Sequence, residues 1–362
     1  MRIAILLLLI VSLLVPSSAR AADRVVATTL DNGLRVLLLE DPRSPIVSFQ
    51  VWYRVGSRNE HRGATGIAHF LEHLMFKGTP SHGPKQFARL VEENGGQDNA
   101  FTSQDVTSYY VDIAADKLDL IIDLEADRMQ NLLLDPKDIA SEREVVIEER
   151  RTRTEDEPGG FLGEEVSSIA FKAHPYGAPI IGWMEDIRRV TPEEIRAFYK
   201  TYYVPNNAIV VAVGAFRTPD VLDKIKKRFG RIPRGKVPPP MLAVEPVQNG
   251  ERRVTVKKQA ELPIVYMAWH VPNQKSDDSV ALELLGGLAR AKNQIEAAFV
   301  YQEDSVHQRA SLLARFELIG GYGMKDSFLS KIRALTAADL TRVARTWFPP
   351  ERKSVGVLLP KP

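Results

Sequence analysis

Gly66-Ile67-Ala68-His69-Phe70-Leu71-Glu72-His73-Leu74-Met75-Phe76-Lys77-Gly78-Thr79 is the stretch on which the reading of this chain turns. Residues four apart share one face of a helix, so His69 and His73 aim two imidazoles at one point, with Glu72 beside them. Two neutral imidazoles suit Zn²⁺, and a nearby carboxylate that is not itself a ligand can take a proton from zinc-bound water. Such a site needs a third protein ligand and a cleft, and the rest of the chain can be searched for both.

A candidate ligand lies further on. Asp135-Pro136 reads as an N-cap followed by proline at the first helical position. The helix it opens carries Ile139, Glu142, Val145, Val146 and Glu149 on one stripe. Carboxylates on an apolar stripe are costly unless paired or bound to metal, so Glu149 or Glu142 is the expected third ligand. Glu144 and Glu148 fall off the stripe and are expected in solvent. Pro158-Gly159-Gly160 is read as the end of this helical pattern.

Around these helices the chain alternates strands and helices. Arg24–Leu30 and Leu34–Leu39 flank an Asp31-Asn32-Gly33 turn, a hairpin signal. Residues 45–55 are extended. Residues 84–94 form an amphipathic helix stopped by Gly95-Gly96. Residues 99–111 read as strand and 117–134 as a long helix. Thr191-Pro192-Glu193-Glu194 is a capping box that starts a helix leading into a strand at 208–214. Five prolines within residues 231–250 mark an extended linker.

Beyond the linker the chain repeats itself. Pro263-Ile264-Val265 matches Pro45-Ile46-Val47 at an offset of 218 residues, and Thr336-Ala337-Ala338-Asp339-Leu340 matches Thr191-Pro192-Glu193-Glu194-Ile195 at 145. Two halves of one fold account for both matches. The offsets differ by 73, so the second half is that much shorter, with the missing part near Gly286–Arg290. The expected fold is α+β: two related halves, each a mostly antiparallel sheet with helices on one face, the second truncated. The expected parts are residues 1–21, 22–230, 231–250 and 251–362: leader, metal-binding domain, linker and shortened second domain.

Residues 1–21 read as a secretory leader. Arg2 precedes an apolar run from Ile3 to Val15, and Ala19-Arg20-Ala21 offers a cleavage site. That run is shorter than the ~20 residues a spanning helix needs, so export, to a bacterial periplasm, is expected without a membrane span. Without Arg2 and Arg20, 46 basic residues stand against 46 acidic ones. A balanced charge argues against nucleic acid as partner. With no cysteine in the chain, a metal site must use His and carboxylates.

His69-x-x-Glu72-His73 followed by Glu149 resembles the pitrilysin/insulinase family of zinc peptidases, whose H-x-x-E-H signature is the inverzincin pattern. Within it the chain is most similar to the bacterial members and the mitochondrial processing peptidases. Further matching segments are Gly95-Gly96 with Asn99-Ala100-Phe101-Thr102, Glu142-Arg143-x-Val145, His174-Pro175-Tyr176-Gly177, and Tyr203-Val204-Pro205-Asn206-Asn207. The resemblance implies a zinc endopeptidase acting on peptides or unfolded segments. It makes His69, His73 and Glu149 the zinc ligands, Glu72 the general base, and Glu142 a carboxylate orienting a ligand. Asn99, Ala100, Phe101 and Thr102 would present a strand edge to an extended peptide. His174 is expected to hold a loop. His61, His82, His270 and His307 are expected to be ordinary surface or core residues, and Tyr109-Tyr110 to be strand packing.

The chain departs from this family in its second half. Active relatives carry there a Ser-Arg-Leu-Tyr-like segment whose Arg and Tyr help hold substrate and oxyanion, and no such segment is present. The deletion should remove strands and expose apolar surface or a sheet edge. One reading is an active endopeptidase whose second wall comes from a homologous subunit or a second copy. Another is a zinc-binding subunit of weak or no activity. A third is a degraded product that folds poorly.

Overall fold

The computed structural model describes residues 24–286 and 291–361. The leader and most of the junction at 286–290 lie outside them. In chain order the first half comprises β1 (Val26–Thr29), β2 (Arg35–Glu40), β3 (Ile46–Tyr53), α1 (Ile67–Leu74), α2 (Gln86–Glu93), β4 (Gln97–Thr102) and β5 (Thr107–Ala114). It continues with α3 (Leu118–Asn131), α4 (Pro136–Arg150), α5 (Pro158–Ala170), α6 (Met184–Arg189), α7 (Pro192–Tyr202), β6 (Ala208–Gly214) and α8 (Thr218–Arg228). After an irregular stretch come β7 (Arg252–Lys258), β8 (Ile264–Trp269), α9 (Ser279–Gly286), α10 (Ala291–Gln302), α11 (Val306–Ile319), α12 (Met324–Ala334), α13 (Ala337–Trp347) and β9 (Lys353–Pro360). No described helix is long and apolar enough to cross a membrane.

The strands form a six-stranded sheet, β1-β2-β6-β3-β5-β4, and a three-stranded one, β7-β9-β8. In the first, β2 and β6 run parallel and every other pair is antiparallel. In the second, β7 and β9 are parallel and β8 is antiparallel to β9. The small sheet therefore repeats the central strands β2-β6-β3 in order and sense, at the offsets seen in the sequence, and among the described residues has no counterpart of β1, β4 or β5. The truncation leaves β8 at an open edge, with Val265 and Met267 more than half exposed.

Each sheet borrows a helix from the other half. Leu162 and Val166 of α5 pack against Leu358 of β9 in the second sheet. Val306, Ala310, Leu313 and Ala314 of α11, one stripe at helical spacing, cover Leu37, Leu39, Trp52, Ile209, Val211 and Val213 of the first. Phe49, Val51 and Tyr53 point to the opposite face, into the core shared with α1, α3 and α7. This explains the uninterrupted apolar run of β6: all seven of its residues are buried, because both faces are covered. The expected helices on one face are thus present, and a helix of the other half occupies the second face. One boundary differs from expectation. Pro158 does not end a helix; it is the first residue of α5, capped by Glu157, whose side chain accepts from Gly159 N. Proline fits the first helical turn as well as it fits a stop.

Ion pairs fasten α11. Glu317 meets Arg35 at 2.7 Å. Arg309 meets buried Asp41, which Arg43 also holds through two hydrogen bonds of 2.8 Å. The hydrogen bond from Arg43 is the chief cause that lowers the Asp41 carboxyl from 3.8 to about 2, with the Arg309 charge adding to it. A depressed carboxylate stabilises the fold above its unfolded value and loses that contribution as pH falls through the folded one. Asp41→Asn should therefore cost about 2 kcal/mol at neutral pH. That difference should shrink as pH drops from about 4 toward 2, read by urea unfolding. A pH-independent difference would mean the charge is not what holds α11.

Candidate metal centre

The entry to α1 is built from carboxylates instead of a side-chain N-cap. Gly66 sits at φ +86°, and a Cβ there would lie 2.3 Å from the Ile181 carbonyl oxygen. Glu60 is half-buried and accepts from the Gly66 and Ala68 N–H groups at 2.8 and 2.9 Å. Asp186 accepts from the Thr65 hydroxyl at 2.7 Å. Negative charge at a helix N-terminus meets its unpaired N–H groups, so the helix bearing His69 starts from a fixed point.

His69 and His73 meet edge-on along α1, their ring centroids 4.7 Å apart, and Glu149 reaches them from the last turn of α4. Glu149 Oε2 lies 3.2 Å from His73 Nε2 and 3.7 Å from His69 Nε2. Among the described residues these three make the one group of His and carboxylate side chains whose donor atoms converge, all within 4.8 Å of one another. Two donors held tetrahedrally by one zinc ion are about 3.4 Å apart, so the spacing fits that ion. Arg150, next to Glu149, is buried and holds Glu164 at 2.8 and 2.9 Å and the Gly182 carbonyl at 2.8 Å. The end of α4 is thereby locked to α5 and to the loop beside Gly66.

His73 Nδ1–H donates to Glu142 at 2.9 Å, which turns Nε2 toward Glu149. Lys77, four residues after His73 and past the end of α1, pairs with the other Glu142 oxygen. Burial opposes charge on His73, but hydrogen bonds to Glu142 and Glu149 outweigh it and raise the imidazole to about 9. Burial, and then the neighbouring His73, hold His69 well below its ordinary value. The Glu149 carboxyl is lowered, chiefly by its hydrogen bond to His73. Two carboxylates thus converge on one imidazole, a field that favours a positive charge at this point. Glu72 stays outside the donor group. Burial raises its affinity for a proton, although the Thr102 hydroxyl donates to it at 2.5 Å.

That last bond ties the site to β4, the edge strand of the first sheet. Thr102 is brought to the centre. Asn99, Ala100 and Phe101 lie along the same edge but not at the donor group, and the Phe101 ring packs edge-on against Trp52 at 5.3 Å. Val145 is a correction: it is 49% exposed, and Ile147 and Arg150 are buried with Ile139, Glu142 and Val146 instead. Steps of three and four from Glu142 fit Val145 and Val146 alike, so periodicity did not separate them. Glu144 and Glu148 are exposed, as expected. The His174 side chain accepts from Tyr176 N and caps the turn Pro175–Gly177, holding its loop. Tyr109 is packed in the core, its hydroxyl 3.0 Å from that of Tyr203.

Four residues around the centre were not found by reading the sequence: Glu60, Lys77, Arg150 and Arg153. Lys77 had a usable signal, its i+4 spacing from His73. Glu60 had a weaker one, an acid upstream of a helix lacking a Ser, Thr, Asp or Asn cap. Arg153, whose Nη1 lies 2.6 Å from Glu149 Oε1, reads as one arginine among many.

Comparison with known proteins agrees with this geometry. Residues 35–183 match the family described as Insulinase (Peptidase family M16), and residues 189–291 match the Peptidase M16 inactive domain. The zinc protease PqqE of Helicobacter pylori is 38% identical over 267 residues, covering 72% of this chain and 60% of that protein. A probable mitochondrial-processing peptidase subunit beta of Arabidopsis thaliana is 28% identical over 316 residues, covering 86% of this chain and 59% of the relative. The chain spans about three fifths of the length of the curated relatives it matches. Among solved structures, a protease from Helicobacter pylori superposes with a TM-score of 0.90 at 28% identity, covering 93% of this chain and 100% of that one. A putative M16-like peptidase from Alicyclobacillus acidocaldarius gives 0.81 at 19% identity over 93% and 98%. With the converging His69, His73 and Glu149, the two matched domains and the repeated, truncated sheet, the chain belongs to the insulinase family of peptidases, family M16.

Proposed function

We propose that this chain is a zinc-dependent endopeptidase that hydrolyses peptides or unfolded segments. The observation that carries the reading is the convergence of His69, His73 and Glu149, with Glu72 beside them and outside the donor group. In this reading the three converging residues hold the ion and Glu142 fixes the orientation of His73. Zinc, when bound, supplies polarisation of a peptide carbonyl and acidification of water. Glu72 takes the proton of the attacking water and returns it to the leaving amine as the C–N bond breaks. The β4 edge, from Asn99 to Thr102, receives the peptide by main-chain pairing. Residues 22–230 form the catalytic domain, 231–250 the linker and 251–362 a shortened non-catalytic domain. The leader at 1–21 directs export to the periplasm.

One observation favours a second reading. The second sheet has three strands where the first has six, so the second half is the smaller of the two. A zinc-binding subunit of low activity, completed by a homologous partner, would have this form. Peptide hydrolysis by the purified chain, with and without chelator, separates the two readings: chelator-sensitive turnover by the chain alone supports the enzyme. One bound zinc without turnover, and turnover restored by a related subunit, supports the partner reading. His73→Ala should lower zinc content, by elemental analysis, from about one ion per chain to near none, because two protein ligands are one short of the three a catalytic zinc site uses. Unchanged zinc would reject the site.

A further inference from the structure

Arg153 stands on a π-helical turn, Arg151–Glu155, that continues α4 directly past Glu149. Such turns recur at functional sites. The backbone here is held from several sides. Arg150 lies 3.6 Å from the Glu155 carboxylate, and Lys258 of β7 donates to the Glu155 carbonyl. Gly160 of α5 passes so near that a Cβ would lie 2.2 Å from the Arg153 carbonyl oxygen. The Arg153 side chain, by contrast, is 75% exposed.

That exposed side chain is turned toward the centre. The guanidinium forms an ion pair with Glu149, Nη1 lying 2.6 Å from Oε1, while Glu149 Oε2 faces the imidazoles. The guanidinium's field reaches His69 and Glu72 as well. A guanidinium carries five N–H donors in a rigid fork. Beyond that ion pair the guanidinium has no partner among the described residues, and it faces solvent. A backbone fixed by both halves of the chain thus presents a charged fork at the rim of the donor group.

We propose that Arg153 is a catalytic residue that receives the substrate's carbonyl oxygen as that oxygen gains negative charge. This rests on the endopeptidase reading. Donors placed where charge develops lower the barrier more than they strengthen ground-state binding. A competing role is purely positional: an i,i+4 ion pair that orients Glu149, of the kind that contributes little at a surface.

The test uses the full chain, Arg153→Met and Arg153→Lys, with peptides blocked as C-terminal amides. Zinc affinity, kcat and KM are measured. So is the affinity for a phosphinic peptide, which carries a tetrahedral anionic oxygen, and for the same peptide with a neutral hydroxyethylene group. Arg153→Met should keep its zinc, lose about 10²-fold in kcat with KM little changed, and lose a similar factor in affinity for the phosphinic peptide alone. Arg153→Lys should recover part of both losses. Weakened zinc binding, or equal losses for the two inhibitors, would overturn the proposal in favour of the positional role. Unchanged phosphinic-peptide affinity would overturn it outright. Wild-type chain that binds neither zinc nor the phosphinic peptide would overturn the endopeptidase reading itself, and this inference with it.

Discussion

Glu72→Gln should lower peptide hydrolysis by about 10²- to 10⁴-fold, the range a general base contributes, and leave zinc content unchanged. Glutamine keeps the size and hydrogen-bonding reach of the side chain but cannot hold the transferred proton. The amide oxygen can still accept from the Thr102 hydroxyl, which meets the carboxylate at 2.5 Å in the native protein, so the tie between α1 and the β4 edge survives. Glu72 is not among the converging donors, so removing its charge leaves three ligands in place. The burial that raises its proton affinity is what a base working near neutrality requires. The measurement is cleavage of a quenched fluorescent peptide beside elemental analysis of the same sample. Wild-type turnover by the variant would remove Glu72 from the mechanism. Loss of zinc would show that Glu72 supports the donor group directly.

What could be read from the sequence was what local spacing determines. The four-residue step from His69 to His73 needs only one helical turn, and Asp135-Pro136 and Thr191-Pro192-Glu193-Glu194 announce their helices by capping. The repeat reached further. Matching Pro45-Ile46-Val47 to Pro263-Ile264-Val265 placed β8 over β3, and the second sheet follows that correspondence strand by strand. The exchange of α5 and α11 between the halves was not legible. Their apolar stripes state that each helix buries a face, while the identity of the covering sheet is decided by contacts more than a hundred residues apart in sequence, such as Arg309 with Asp41. Nor was the surrounding of the ligands legible. Glu60 and Arg150 act on backbone N–H and carbonyl groups, and backbone groups carry no residue-specific trace.

The pair Glu125 and Arg128 shows the same limit in the core and leads to the largest expected change in stability. On α3, Glu125 and Arg128 interrupt the apolar spacing, as solvent-facing residues would, yet both are essentially inaccessible. Arg128 Nε donates to Glu125 at 2.8 Å. Its guanidinium lies 4.1 Å from the Phe87 ring centroid, 4.6 Å from that of Tyr109 and 5.4 Å from that of Phe76. It therefore joins α2, α3, β5 and the turn following α1 at one point. Burial raises the Glu125 carboxyl against the pull of the Arg128 charge, so each charge is tolerable only because of the other. Glu125→Gln leaves the guanidinium buried without its counter-charge and should cost about 3–5 kcal/mol, read as a fall in unfolding free energy in urea. Because hydrophobic replacements of similar volume can match a buried ion pair, Glu125→Leu combined with Arg128→Met should cost less than Glu125→Gln alone. If the single change costs under about 1 kcal/mol, water must reach the pair and the low-dielectric argument is wrong. If the double change costs more than the single one, the pair adds net stability, and the convergence of the three rings on Arg128 is what gives the ion pair its value.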